Sequence, residues 1–240
     1  MKQKLFYKAR AVINMTNAVV LSRLNGSIVV SGFPKTGTTY LSHLAERATG
    51  KTYIEGSMRF ALRPSVVHTH SRRIPAGSVF SYRPIDTVIP SLVTQRLQEV
   101  DPSFSARIRS GDYGEGERSQ IRRTVETLLI GTSRMPAPSA YYRSVREKGG
   151  VIVNILDLSR EGSPARAALQ EAWRVPAGVL SSAIDEAERL SQQRRAQGHE
   201  FYNRPTDIVR SILEENAALK QRIADEASRT RDIVEGAKDA

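Results

Sequence analysis

Lys35 sits between Gly32 and Gly37 in the run Gly32-Phe33-Pro34-Lys35-Thr36-Gly37-Thr38-Thr39-Tyr40, with threonines at 36, 38 and 39. An ammonium, clustered hydroxyls and backbone amides freed by glycine are the groups that bind phosphate-like anions. The chemistry to expect is therefore recognition of a polyanionic small molecule, centred near residue 37.

Such groups act together only if the chain bends sharply between two rigid elements. The β-branched run Ile28-Val29-Val30 predicts a buried strand on one side of the loop, and Tyr40-Leu41-Ser42-His43-Leu44-Ala45-Glu46 predicts a helix on the other. A Walker A loop places its lysine directly after the second glycine, where it reaches the terminal phosphates of a nucleotide. Thr38 occupies that place here, and the loop's lysine, Lys35, comes two residues before Gly37. The order Pro34-Lys35-Thr36-Gly37-Thr38-Thr39 resembles the 5'-phosphosulfate loop of the PAPS-dependent sulfotransferases (PAPS, 3'-phosphoadenosine 5'-phosphosulfate). Tyr40 stands where that family usually has tryptophan.

Two further segments carry the resemblance. Val79-Phe80-Ser81-Tyr82 reads as a buried strand ending at Arg83-Pro84, with Ser91 eight residues beyond the arginine. In the sulfotransferases an arginine and a serine at this spacing hold the nucleotide's 3'-phosphate. A guanidinium can grip two phosphate oxygens as a fork, and a hydroxyl two turns along a helix can donate to the third. Val66-Val67-His68-Thr69-His70 is similar to the family's Lys-Thr-His segment, with His68 in place of the lysine. The resemblance makes His70 the expected base, and imidazole titrates in the range that deprotonating an acceptor hydroxyl requires. It also implies Lys35 as the catalytic cation. Pro34, Lys35, Thr36, Gly37, Thr38, Thr39, Tyr40, Arg83 and Ser91 are the expected donor-binding residues, with Tyr40 stacking on adenine. The implied reaction is sulfuryl transfer from PAPS to an acceptor hydroxyl, leaving adenosine 3',5'-bisphosphate, with no metal required. The family's late Arg-Lys-Gly…Gly-Asp-Trp segment is missing, so the chain reads as a compact, divergent member.

At 240 residues the chain suits an α/β core that needs no disulfide, and it has no cysteine. The formal net charge is +11, and residues 1–184 hold 26 basic against 13 acidic side chains. A basic surface around the loop favours a polyanionic donor. No nucleic-acid reading motif accompanies it, so nucleic acid is not an expected partner. A saccharide or glycolipid acceptor is expected, in the cytoplasm or at the inner membrane face, in a monomer or homodimer. No apolar run is long enough to span a bilayer, and residues 1–26 read as a basic amphipathic helix able to rest on a membrane surface.

Strands near residues 27–32, 64–69, 77–82 and 150–156, alternating with helices, predict a P-loop-type three-layer α/β fold: a central parallel sheet with helices on both faces. The expected organisation is the N-terminal helix at 1–26, a PAPS-binding domain at 27–180 and charged helices at 181–240 that pack on it. The glycine-rich run 109–117 reads as a loop. Arg204-Pro205-Thr206-Asp207 reads as a helix start and Trp173 as a packing residue. Two rival functions are a P-loop small-molecule kinase using ATP and magnesium, with Asp157 ending an apolar run as the metal-binding acid, and a non-catalytic nucleotide-binding protein.

Overall fold

The computed structural model describes residues 12–13, 16–54, 62–71, 74–133, 135–198 and 204–236. Residues 1–11, 14 and 15 of the expected basic amphipathic helix lie outside them. The elements, in chain order, are β1 (Ile28–Gly32), α1 (Thr38–Thr49), β2 (Thr52–Ile54), β3 (Ser65–His68), β4 (Val79–Tyr82), α2 (Ile85–Val100), α3 (Phe104–Ser110), α4 (Glu115–Ile130), α5 (Pro138–Glu147), β5 (Val151–Asn154), α6 (Pro164–Trp173), α7 (Ala177–Gly198), α8 (Arg204–Glu214) and α9 (Ala217–Glu235). Short helical turns over Asn17–Asn25 precede β1. The chain forms two compact units, residues 1–83 with 144–191, and residues 84–143 with 192–240.

The first unit is a three-layer α/β fold. Its five strands pair in parallel in the order β2-β3-β1-β4-β5. Val30, Val66, Val79 and Val153 project from one face into a core with Leu41 and Leu44 of α1, Leu169 and Trp173 of α6, and Leu180 and Ile184 of α7. Successive strand residues alternate sides, so Val29, Val67 and Phe80, also buried, project the other way. On that side the turn Asn17–Leu21 packs on β3, and a Cβ added at Gly150 would meet both Val145 and Phe80. Burial on both faces explains why the strands are nearly unbroken apolar runs rather than alternating ones. Trp173, 7 % exposed, is the packing residue its sequence context predicted.

The second unit is helical. α8 and α9 pack on α2, with α3 and α4 completing the group, around Phe104, Ile108, Ile121, Val125, Val209 and Ile212. The carboxylate of Glu226, 2 % exposed, accepts from the Ser139 amide at 2.7 Å and so caps the start of α5. Arg204-Pro205 does begin a helix, α8.

Three elements differ from the sequence reading. β2 was not expected. The run 109–117 is not an open loop: Arg109–Ser110 end α3, Gly111 turns the chain in the left-handed region, and Glu115–Glu117 form the first turn of α4. The Glu117 carboxylate accepts from the Gly114 amide at 3.0 Å, and Arg107 bridges Glu117 and Asp101 at 3.2 and 2.7 Å. The run at 150–156 stops as a strand at Asn154, whose side chain caps a tight turn, Ile155–Asp157. Among the described residues no helix is long and apolar enough to cross a membrane.

Candidate functional site

β1 lies at the centre of the sheet, and its following helix leads to one side while the chain leaving β4 leads to the other. In open parallel sheets the crevice at the carboxyl ends of two such strands is where ligands bind. The predicted loop occupies that position, between Gly32 at the end of β1 and Thr38 at the start of α1.

The loop is held by internal bonds. Lys35 has φ 68° and Gly37 φ 94°. A lysine in the left-handed region costs about 1 kcal/mol or more and persists only where surrounding contacts demand it. Here Thr36 supplies them: its amide and its hydroxyl both donate to the Phe33 carbonyl, at 3.2 and 2.6 Å, and Phe33 is fully buried. The φ at Gly37 favours glycine, and an added Cβ there would also oblige the tip of the Ile155 side chain to turn aside.

Beneath the loop is a hydroxyl cluster that sequence reading missed. Ser81 Oγ lies 3.0 Å from both Thr36 Oγ1 and Thr38 Oγ1 and 3.3 Å from the Ser31 carbonyl. Gly32 pairs with Ser81 across β1 and β4, so the three hydroxyls converge above its Cα. Thr36 and Thr38 are buried and their hydroxyls point inward. Lys35 is exposed, while Pro34, Thr39 and Tyr40 are half-buried. The only advance signal of Ser81 was a small polar residue inside the otherwise apolar strand Val79-Phe80-Ser81-Tyr82.

α1 begins at Thr38 with no side-chain cap, and its first helical bond runs from the Leu41 amide to the Gly37 carbonyl at 3.0 Å. The amides of Thr38, Thr39 and Tyr40 precede that bond and have no intrahelical acceptor. Together with the helix dipole they make the loop electropositive, and residues 32–40 contain no acidic side chain.

The segment after β3 runs beside β1. The Thr69 amide donates to the Val30 carbonyl at 3.0 Å, Ser31 Oγ donates to the Ser71 carbonyl at 2.9 Å, and His70 Nδ1 lies 2.9 Å from the Gly32 carbonyl. A carbonyl only accepts, so Nδ1 carries the proton and Nε2 is the basic nitrogen of the neutral ring. His70 is exposed and its ring meets that of His68 edge-on at 4.9 Å; Tyr53 Oη lies 2.9 Å from His68 Nδ1. Arg83 follows β4 directly and is half-buried. Thus Lys35, His70 and Arg83 follow three adjacent strands, β1, β3 and β4, at the same edge of the sheet. Ser91 stands half-buried on α2, in the second unit.

Tyr40 packs against the core formed with α6 and α7. Burial pushes its phenol from 10.0 up to about 12, with Glu188 adding to the shift, Arg166 opposing it and Asp185 adding again. The neutral phenol is therefore favoured by folding. Its stabilising effect is complete below pH 10.0, the unfolded value, and is lost as pH rises towards about 12. In a tyrosinate absorbance titration, the difference between wild type and Tyr40→Phe should show a midpoint near 12 rather than 10.0.

Among the described residues no cluster of three or more His, Asp or Glu side chains could hold a metal ion. The Asp157 carboxylate lies in the turn after β5, 3.9 Å from Arg160, and β4 separates that strand from β1. Comparison with protein-family models, curated proteins and solved structures yields no match to this chain.

Proposed function

We propose that the chain is a PAPS-dependent sulfotransferase of P-loop type, acting on an acceptor hydroxyl, with a saccharide or glycolipid as the first class to try. The observation that carries this reading is the shared placement of Lys35, His70 and Arg83 at the carboxyl ends of three neighbouring strands, around an uncapped helix start. The donor set fits the phosphosulfate end of such a molecule: one exposed ammonium, three first-turn amides and no carboxylate.

When bound, PAPS supplies an activated sulfuryl group. Lys35 and the amides at Thr38 and Thr39 meet the charge that develops on the bridging oxygen of the departing phosphate. His70, with its proton on Nδ1 held by Gly32, has Nε2 as the site that takes the acceptor's proton. Thr36 and Thr38 act through their bonds to Ser81, which hold the loop in shape, and Thr39 contributes amide and hydroxyl. Arg83 binds the 3'-phosphate. A sulfuryl group carries less charge than a terminal phosphoryl group, so a lysine can serve where kinases use magnesium.

Titration with adenosine 3',5'-bisphosphate against ATP plus magnesium separates the readings, followed by a labelled-PAPS screen over saccharide, glycolipid, alcohol and phenol acceptors. Tight bisphosphate binding and transfer to one class support the proposal. Preference for ATP plus magnesium would replace it with the kinase reading, and bisphosphate binding without transfer would leave a binding protein. Arg83→Ala is expected to weaken bisphosphate binding by about 2–4 kcal/mol, the range for losing one side of a desolvated charged pair. Unchanged affinity by calorimetry would remove Arg83 from the site.

A further inference from the structure

The opposite edge of the same sheet carries a second feature with anion-binding chemistry. A cavity of about 510 Å³ lies against the amino ends of β1 and β4, bounded by Ile28, Ser78, Arg23, Lys51, Trp173 and Arg174, among others. Gly32 lies four positions beyond Ile28 along β1, or about 13 Å at a strand's rise of ~3.3 Å per residue, so this cavity is distinct from the loop. Its volume is that of a small-molecule site.

The lining has one sign of charge. Arg23, Lys51 and Arg174 all line it, and no acidic side chain does among the described residues. Lys51 Nζ donates to the Gly26 carbonyl at 2.6 Å, which fixes the ammonium and leaves it two further donors. Among the described residues, Arg174 is one of two non-glycine residues in the left-handed region, φ 54°, and the other is Lys35. Trp173 is 7 % exposed, and its indole Nε1 is buried without a hydrogen-bond partner among the described residues. The indole is packed into the hydrophobic core and forms part of the cavity wall.

We infer that this cavity is a second anion site, which takes a small molecule carrying two or more phosphate or sulfate groups. Arg23, Lys51 and Arg174 supply the charge, and the Trp173 indole lies in the wall against which the ligand rests. Three cations around one concave space raise the local concentration of a multivalent anion far more than that of a monovalent one.

The chain contains one tryptophan, so its emission and its indole ¹H–¹⁵N resonance report on this cavity alone. Inorganic tripolyphosphate, titrated into the whole chain, is expected to change both in a saturable manner, with the same apparent affinity in wild type and in Lys35→Ala. Arg174→Gly removes the guanidinium while suiting the left-handed backbone, so it should keep the melting temperature and the adenosine 3',5'-bisphosphate affinity but weaken tripolyphosphate at least tenfold. Lys51→Ala should weaken it similarly. An unresponsive tryptophan, undiminished binding in both cavity variants, or loss of binding in Lys35→Ala would overturn the inference, and none of these outcomes bears on the loop's own ligand.

Discussion

Under the proposed sulfotransferase reading, Lys35→Ala is expected to lower sulfuryl transfer by about 10²–10³-fold, the range for removing one donor aimed at developing negative charge. The reason lies in what else the loop provides. Backbone amides at the start of α1 remain after the substitution, so bisphosphate binding should fall only modestly, while in the proposed reaction the charge that grows on the leaving oxygen loses the loop's lysine. Alanine has the same Cβ as lysine, so the strain at φ 68° is neither relieved nor increased. The side chain is exposed, so thermal melting should be unchanged. Single-turnover transfer from labelled PAPS to the acceptor found by screening measures the effect. Wild-type turnover in this variant would show that the loop's cation has no part in the chemistry.

Gly32→Ala tests the scaffold. A Cβ at this position would lie 2.1 Å from Ser81 Oγ and 2.8 Å from both Thr36 Oγ1 and Thr38 Oγ1. None of the three can yield cheaply, because each is on a short, buried side chain and Thr36 is tied to the Phe33 carbonyl. Overpacking of this kind costs about 1–3 kcal/mol, and loss of one buried hydroxyl bond adds about 1 kcal/mol. A destabilisation of about 2–4 kcal/mol is expected in urea unfolding. Because the Gly32 carbonyl also receives His70, the imidazole should shift with it. Ser81→Ala removes the atom at 2.1 Å, so the double variant should be less destabilised than the sum of the two single ones. Strict additivity would mean the hydroxyls do not converge on Gly32.

Much of the loop was legible in the residues alone. Its strand, turn and helix follow one another within about twenty positions, and local signals act over that range: β-branched apolar residues before, glycine at the bend, helix formers after. His70 and Arg83 were legible as strand-end residues for the same reason. β2 was not, because three residues, Thr52-Tyr53-Ile54, are too few to show a period of two. The run 109–117 misled because its glycines suit a helix end and a helix start as well as a loop. The deciding contacts, Arg107 with Asp101 and Glu117, are made between side chains six and ten positions apart.

The chain's own order of residues determined that a glycine-rich bend with a lysine and three threonines lies between a buried strand and a helix, in a part of the chain rich in basic side chains. Only the tertiary structure decided which strands flank that bend. Placing β3 and β4 on either side of β1 brings His70 onto the Gly32 carbonyl and Ser81 under Thr36 and Thr38, across separations of 38 to 45 residues. Strand neighbours are chosen by the joint burial of both sheet faces, a property of the assembled sheet that no window of local sequence contains.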